Sequence, residues 1–285
     1  MGLILLNKQP GITSFDALRD IKRALGTGKV GHTGTLDKFA QGLLIVLTGN
    51  ALRLSQWFTG CDKKYTGRIK FGIETDTLDP EGNVIGEAAL PSREQVENVL
   101  CKFTGEIKQA PPLYSAIHVN GQRASNLARA GKTPEMKERP VTVHELKLLS
   151  WEPPFADIFV HCSSGTYIRS LSRDIALAAG SRAHLCGLVR TQISGFKLEE
   201  DNRGAADIKV QPIDKPVIKA LGMPWLEVST QEALYIYHGK PLAQILDFTS
   251  LPHCHTAAVF SGETLIAIIE KKDEMWKYGC VLPNC

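Results

Sequence analysis

A loop of glycine and threonine, Gly31-His32-Thr33-Gly34-Thr35-Leu36-Asp37, limits the folds open to this chain more than any other segment. A helical pattern precedes it. Thr13 and Ser14 can cap a helix with Phe15, Leu18, Ile21 and Leu25 on one face, and Gly26 stops it. An unbroken apolar run from Leu43 to Leu47 follows and reads as a strand. A dinucleotide-binding unit needs the opposite arrangement, a strand first and a helix opening within the glycines. Gly26-x-Gly28-x-x-Gly31 therefore matches that fingerprint in letters only. Gly28-Lys29 fails as a phosphate loop, because Val30 stands where a Ser or Thr must hold Mg²⁺. What remains is one carboxylate, Asp37, on a loop whose backbone can approach a ligand closely. With no His or Cys clustered beside it, Asp37 predicts nucleophilic or acid/base chemistry without a metal.

The rest of the chain alternates unevenly between strand and helix patterns. Leu3–Leu6 reads as a short strand, 51–58 as a short helix, and Tyr65, Gly67, Ile69 and Phe71 as one side of a strand. Thr77 to Asn83 is turn chemistry. Ser92 opens a helix with Val96, Val99, Leu100 and Phe103 at helical spacing. Strands over 141–149 and 155–162 flank Pro153-Pro154, and Ile168, Leu171 and Ile175 share a helix face. An extended 167–169 would turn Tyr167 and Arg169 to the same side. This irregular spacing predicts a mixed α+β fold and not a βαβ repeat. The composition shifts near 212–216. Beyond Pro224 come short strand-like pieces at 225–228, 257–260, 265–270 and 281–282, as in a small β-barrel or sandwich.

Charge divides along the same line. Residues 1–210 hold 27 Lys and Arg against 22 Asp and Glu, whereas residues 211–285 hold 6 against 8. The mildly basic first part permits a polyanionic partner. Segment 118–140 concentrates that charge: Arg123, Arg129, Lys132, Lys137 and Arg139 face only Glu135 and Glu138. It reads either as a solvated surface helix and loop or as a clamp on a phosphate backbone. The apolar runs are strand-length, well short of the ~20 residues of a membrane helix. The N-terminus lacks the pattern of a secretory signal. Seven cysteines without a Cys-x-x-Cys predict reduced thiols and a cytoplasmic location. His253-Cys254-His255 and the Cys280, Cys285 pair lack the spacing of a zinc site.

Four separated segments together carry a resemblance: Lys8-Gln9-Pro10-Gly11-Ile12-Thr13-Ser14, Val30 to Asp37, Asp62-Lys63-Lys64-Tyr65, and Ser164-Gly165-Thr166-Tyr167-Ile168-Arg169. In order and spacing they resemble the TruB family of tRNA pseudouridine synthases, over about residues 3–200. The resemblance implies a pseudouridine synthase fold, α+β with a mixed, largely antiparallel sheet flanked by helices, over residues 1–222. It also implies a small β-rich PUA-like RNA-binding module over 223–285. The implied activity is isomerisation of a T-loop uridine of tRNA to pseudouridine, with no cofactor and no metal. The family's catalytic Asp falls on Asp37, its active-site Tyr on Tyr65, and the Arg paired with the Asp on Arg169. Tyr167 falls on a substrate-contacting position, His32 on the residue entering the T-loop, and Leu188 on the one packing against the base. Arg123, Arg129 and Lys132 are candidates for the RNA backbone.

These residue types suit the chemistry. A base inside a folded RNA loop must be extruded, and aromatic and apolar side chains offset its unstacking. A carboxylate facing an arginine stays ionised. Asp37 can attack C1′ or help to remove a 2′ proton, and both routes stay open. Departures from the family pattern include Asn7, Gln9 and Lys38-Phe39-Ala40-Gln41 after Asp37, which puts a lysine next to the reacting carboxylate. Val189 also departs, while Arg190 is kept. Without extended basic tails, the chain is expected to act without a guide RNA, as a monomer. Two other classes remain in view. Asp37 with Asp76, Asp79, Asp174 or another acid could form a glycosidase pair. The same architecture could also serve a non-catalytic tRNA-binding or folding protein.

Overall fold

The apolar run at Leu43–Leu47 is continuous because both faces of its strand are covered. Leu43, Ile45 and Leu47 enter one hydrophobic core and Leu44 and Val46 another, all of them 0% exposed. Each such side chain contributes roughly 1.5–3 kcal/mol, so this strand ties two layers together.

The computed structural model describes residues 2–198, 208–251 and 254–283. It begins with β1 (Gly2–Lys8), α1 (Ser14–Ala24), β2 (Val30–His32) and β3 (Gln41–Thr48). There follow α2 (Ser55–Thr59), β4 (Lys63–Phe71), β5 (Ile73–Thr75), β6 (Val84–Glu87), α3 (Arg93–Leu100) and β7 (Gly105–Gln109). The basic excursion holds β8 (His118–Val119), β9 (Gln122–Arg123) and α4 (Ala124–Arg129). Next are β10 (Arg139–Glu152), β11 (Phe155–Cys162), α5 (Ile168–Ala178), β12 (Ala183–Ile193), β13 (Phe196–Lys197) and α6 (Lys215–Ala220). The chain closes with β14 (Trp225–Glu227), α7 (Thr230–Tyr237), β15 (Thr256–Ser261), β16 (Thr264–Lys272) and β17 (Met275–Val281).

The main sheet runs β1-β3-β12-β4-β11-β10-β7, with β2 on β3 and β13 on β12. In this sheet, among the described residues, only β3 and β12 pair in parallel; the other pairings are antiparallel. This is the mixed, largely antiparallel α+β sheet expected. Strands β4, β11 and β12 turn Tyr65, Ile69, Phe71, Ile158, Val160 and Leu185 toward α3 and α5, which supply Val96, Val99, Leu171 and Ile175. The parallel step at β3–β12 depends on Gly42. Its φ is +109°, and a Cβ there would lie 2.4 Å from the Arg190 carbonyl oxygen.

Several local expectations change. In α1, the capping box of Thr13 and Asp16 forms, but Phe15 is 70% exposed, and the buried face is Ser14, Ala17, Leu18 and Ile21. The 51–58 helix is a 3₁₀ turn, Gly49–Leu54, leading into α2. The C-terminal part is a four-stranded sheet, β14-β15-β16-β17, with α7 packed in its core. The strand-only reading omitted α7, although Ser229 and Glu232 form a capping box at its start. The last strand lies at Met275–Val281 rather than 281–282. Phe260, Leu265 and Ile268 of this sheet share one core with Leu3, Leu43 and Phe58. No helix among the described residues is long and apolar enough to cross a membrane. His253 and Cys285 lie outside the described residues.

Candidate active site

Asp37 is fixed from two sides. Ser14, in the first turn of α1, accepts from the Leu36 N–H at 2.8 Å and donates to the Leu36 carbonyl at 3.0 Å. Lys8, at the end of β1 and 1% exposed, donates Nζ to the carbonyls of Ala40 at 2.6 Å and Gln9 at 3.1 Å. Burial lowers the Lys8 pKa to about 8, while the Asp37 charge opposes that shift. The cation felt by Asp37 from this side is therefore Lys8. Its neighbour Lys38 is half-exposed and pairs with Glu81 at 3.3 Å.

Arg169 reaches Asp37 by a route the extended reading of 167–169 did not foresee. Helix α5 starts at Ile168, and Tyr167 is its N-cap. Tyr has no side chain suited to capping, and Gln109 instead pins the backbone of this N-cap residue. It accepts from the Tyr167 N–H at 2.8 Å and donates to the Tyr167 carbonyl at 3.2 Å. Arg169 then lies in the first helical turn, 5% exposed. Its Nη2 donates to Asp37 Oδ1 at 3.2 Å and to the Tyr114 carbonyl at 3.0 Å. Its Nη1 donates to Asp79 Oδ2 at 3.1 Å and to the Thr77 carbonyl at 2.8 Å. Nε stands 3.0 Å from Asp37 Oδ2, within ion-pair reach, but its N–H is not aimed at that oxygen and makes no hydrogen bond.

One guanidinium thus holds two carboxylates in different states of use. Asp79 also accepts from Thr77 Oγ1 at 2.6 Å and the Glu81 N–H at 3.0 Å, and its side chain is 10% exposed. Asp37 keeps 35% of its side chain exposed. Burial pushes the Asp37 carboxyl up, Arg169 pulls it back most strongly, and Asp79 and Lys8 act in opposite directions beside it. The Arg169 contact favours the ionised form.

Asp37 faces a cavity of about 320 Å³ lined also by Tyr65, Tyr167, Arg169, Leu188, Lys63 and Arg190. That volume is within the range of small-ligand sites. Tyr65 comes from β4 and Leu188 from β12, adjacent strands. Burial raises the phenol pKa of both Tyr65 and Tyr167, so each presents a neutral ring. Burial also lowers Lys63 to about 8, and its Nζ donates to the Thr59 carbonyl at 2.7 Å. Among the described acidic residues, only Asp37 lines this cavity. Asp79 shares Arg169 from behind, and Asp76 and Asp174 are absent from the lining, so the glycosidase pairing has no second carboxylate at the wall among the described residues.

The structure therefore brings Asp37, Tyr65, Tyr167, Arg169 and Leu188 together. It leaves His32 outside the cavity lining. His32 lies on β2 opposite Val46, with Nδ1 buried and unpaired among the described residues. Burial lowers its pKa, and Arg190 adds to the shift, so the imidazole is neutral at neutral pH. Arg123, Arg129 and Lys132 are exposed, outside the cavity lining, and without ion pairs to the described residues.

Arg190 carries more of the site than its sequence position suggested. It is 2% exposed and donates from Nε to the Leu43 carbonyl at 2.7 Å and from Nη2 to the Gly34 carbonyl at 3.0 Å. It locks the glycine loop to β3 and β12. Asp79 was read as a turn residue and as a possible glycosidase partner of Asp37, not as a second carboxylate on Arg169, and the supporting roles of Lys8 and Gln109 were missed in the same way. Their spacing from Asp37 in sequence offered no signal, because the contacts are made through the fold.

Residues 22–168 match the model of the TruB family pseudouridylate synthase, N-terminal domain. The chain is 44% identical over 202 residues to tRNA pseudouridine synthase B of Borreliella burgdorferi (strain ZS7), covering 70% of this chain and 72% of that protein. It is 37% identical over 284 residues to tRNA pseudouridine synthase B of Francisella tularensis subsp. tularensis (strain WY96-3418), covering 94% and 90%. Among solved structures, a Cbf5-Nop10-Gar1 complex superposes with a TM-score of 0.67 at 25% identity, over 94% of this chain and 78% of that one. An H/ACA RNP bound to a substrate RNA containing 2′-deoxyuridine gives the same TM-score at 23% identity. With more than half of the chain matched by the family model and relatives this close over most of its length, the chain belongs to the TruB family of pseudouridylate synthases.

Proposed function

We propose that this protein converts a uridine in the T-loop of tRNA to pseudouridine, with Asp37 as the reacting carboxylate. One observation carries the reading: Asp37 is held by Arg169 at the wall of a cavity whose other sides are Tyr65, Tyr167 and Leu188. A flipped uracil is planar, uncharged and apolar on both faces, and neutral aromatic rings and a leucine suit it. In the reaction the N1–C1′ bond breaks, the base turns within the cavity, and C5 bonds to C1′. C5 loses its proton and N1 gains one, so no atom is added or removed overall. Asp37 acts at the sugar, where positive charge develops as the bond breaks. Arg169 is the positioning partner of that carboxylate. His32, neutral and outside the cavity, occupies the space the base leaves in the RNA loop. Arg123, Arg129 and Lys132 contact the phosphate backbone.

The same reading assigns residues 1–222 to the catalytic domain and 223–285 to a PUA-like RNA-binding module. The protein works as a cytoplasmic monomer on the tRNA T-arm without a guide RNA. Mapping pseudouridine across total tRNA from cells with and without this protein tests it. A single T-loop position that loses its modification supports the proposal. Loss only at positions outside the T-loop would overturn it.

A further inference from the structure

On the face of the sheet opposite Tyr65, three side chains from neighbouring strands converge. Asp62 immediately precedes β4, His161 lies on β11 and His144 on β10. Their potential ligand atoms, one per residue, all lie within 4.8 Å of one another. His144 Nε2 stands 3.0 Å from Asp62 Oδ2, and the two imidazole centroids are 4.7 Å apart. None of the three lines the catalytic cavity.

The backbone is irregular where this cluster forms. The β10–β11 register shifts between Val143 and Glu145, leaving His144 as the unpaired residue of a bulge. A bulge re-aims a side chain that regular pleating would place elsewhere. Val143 and Cys162 point into the core on the other face. Asp62 is itself pinned, since its carbonyl accepts from the Ser194 N–H at 2.9 Å. Lys64 and Glu145 flank the cluster with opposite charges, and Glu145 is paired with Lys147.

We propose that Asp62, His144 and His161 form a binding site for a divalent transition-metal ion of the zinc type, separate from catalysis. Two imidazoles and one carboxylate are a donor set that such ions favour, with a fourth position left to water. Tetrahedral bonds of about 2.0–2.1 Å put neighbouring ligand atoms roughly 3.3 Å apart. The 3.0 Å contact between His144 and Asp62 already approximates one edge of that figure. Small side-chain rotations close the others. A bound ion would link three adjacent chain segments and stabilise the fold by mass action.

The test uses the full chain and the metal alone. Zn²⁺ titration by calorimetry and Co²⁺ absorption are measured on the wild type and on His144→Ala, His161→Ala and Asp62→Asn. We expect one site, a Co²⁺ spectrum without a thiolate charge-transfer band, and binding weakened about tenfold or more in each variant. The metal should raise the melting temperature of the wild type but not that of His161→Ala. Metal-free His144→Ala should retain wild-type pseudouridine formation; a loss of activity there would overturn the separation from catalysis. His144→Gln, closer in size, guards against a variant that fails to fold. Unchanged affinity in all folded variants, a thiolate band assigning the ion to the cysteines, or no binding to the wild type would each overturn the site.

Discussion

Replacing Arg169 with lysine separates charge from geometry at the proposed reacting carboxylate. Lysine keeps the positive charge but presents a single donor head in place of a planar fork. In the structure Nη2 serves Asp37 and Tyr114 while Nη1 serves Asp79 and Thr77. One ammonium cannot span both carboxylates, and Asp79, the more buried, competes for it. A hydrogen bond to a charged group is worth about 1.5–3 kcal/mol. Asp37 would lose that much orientation, which corresponds to a rate roughly 10- to 150-fold lower. Arg169→Met is harsher. It leaves the buried Asp79 and the partly exposed Asp37 without their shared cation, and the protein should lose roughly 3 kcal/mol of stability, the low end for breaking a buried ion pair. The rate is read in single turnover from C5-tritiated T-arm RNA, because forming the C5–C1′ bond releases the C5 hydrogen. RNA affinity should hold, since Arg169 is buried among protein groups. A wild-type rate for Arg169→Lys, or a defect confined to RNA affinity, would refute the reasoning.

Gly42→Ala would drive a methyl into the Arg190 carbonyl at a φ of +109°; we expect a loss of roughly 2–3 kcal/mol in denaturant unfolding. The buried Lys8 has a pKa near 8 in the folded protein against 10.5 unfolded. Between those values the unfolded chain holds more protons, so stability rises with pH through that window and is flat below it. Measured against Lys8→Met, the wild type should gain about 3 kcal/mol from pH 8 to pH 10.5. Neutralising Arg123, Arg129 and Lys132 together should reduce the slope of log binding constant against log salt by about 2–3. An unchanged slope would remove them from the interface.

Residues whose partners lie nearby in sequence were legible. The helix starts at Thr13 and Ser92 and the alternation of Tyr65, Ile69 and Phe71 follow from local rules, and each forms. The unbroken run at Leu43–Leu47 identified a strand, though not that its two faces serve different cores. Phe15 misled because its spacing fits the helix face while the helix meets the sheet through smaller residues. Around Asp37, the motif segments supplied Arg169 and Tyr65. The supporting contacts of Asp79, Lys8, Gln109 and Arg190 join segments far apart in the chain, and only the sheet order brings them together. The helix start at Tyr167 was hidden for a related reason, since the group that pins its backbone is a glutamine 58 positions away.

Asp37→Asn most directly separates the proposed chemistry of Asp37 from base binding by the rest of the cavity. Asp37→Asn is nearly isosteric, and Arg169 keeps its bonds to Asp79, Thr77 and Tyr114. Pseudouridine formation and T-arm RNA binding should be measured on the same preparation. RNA binding should stay close to wild type with no pseudouridine formed. Product at the wild-type rate from Asp37→Asn would contradict Asp37 as the reacting carboxylate.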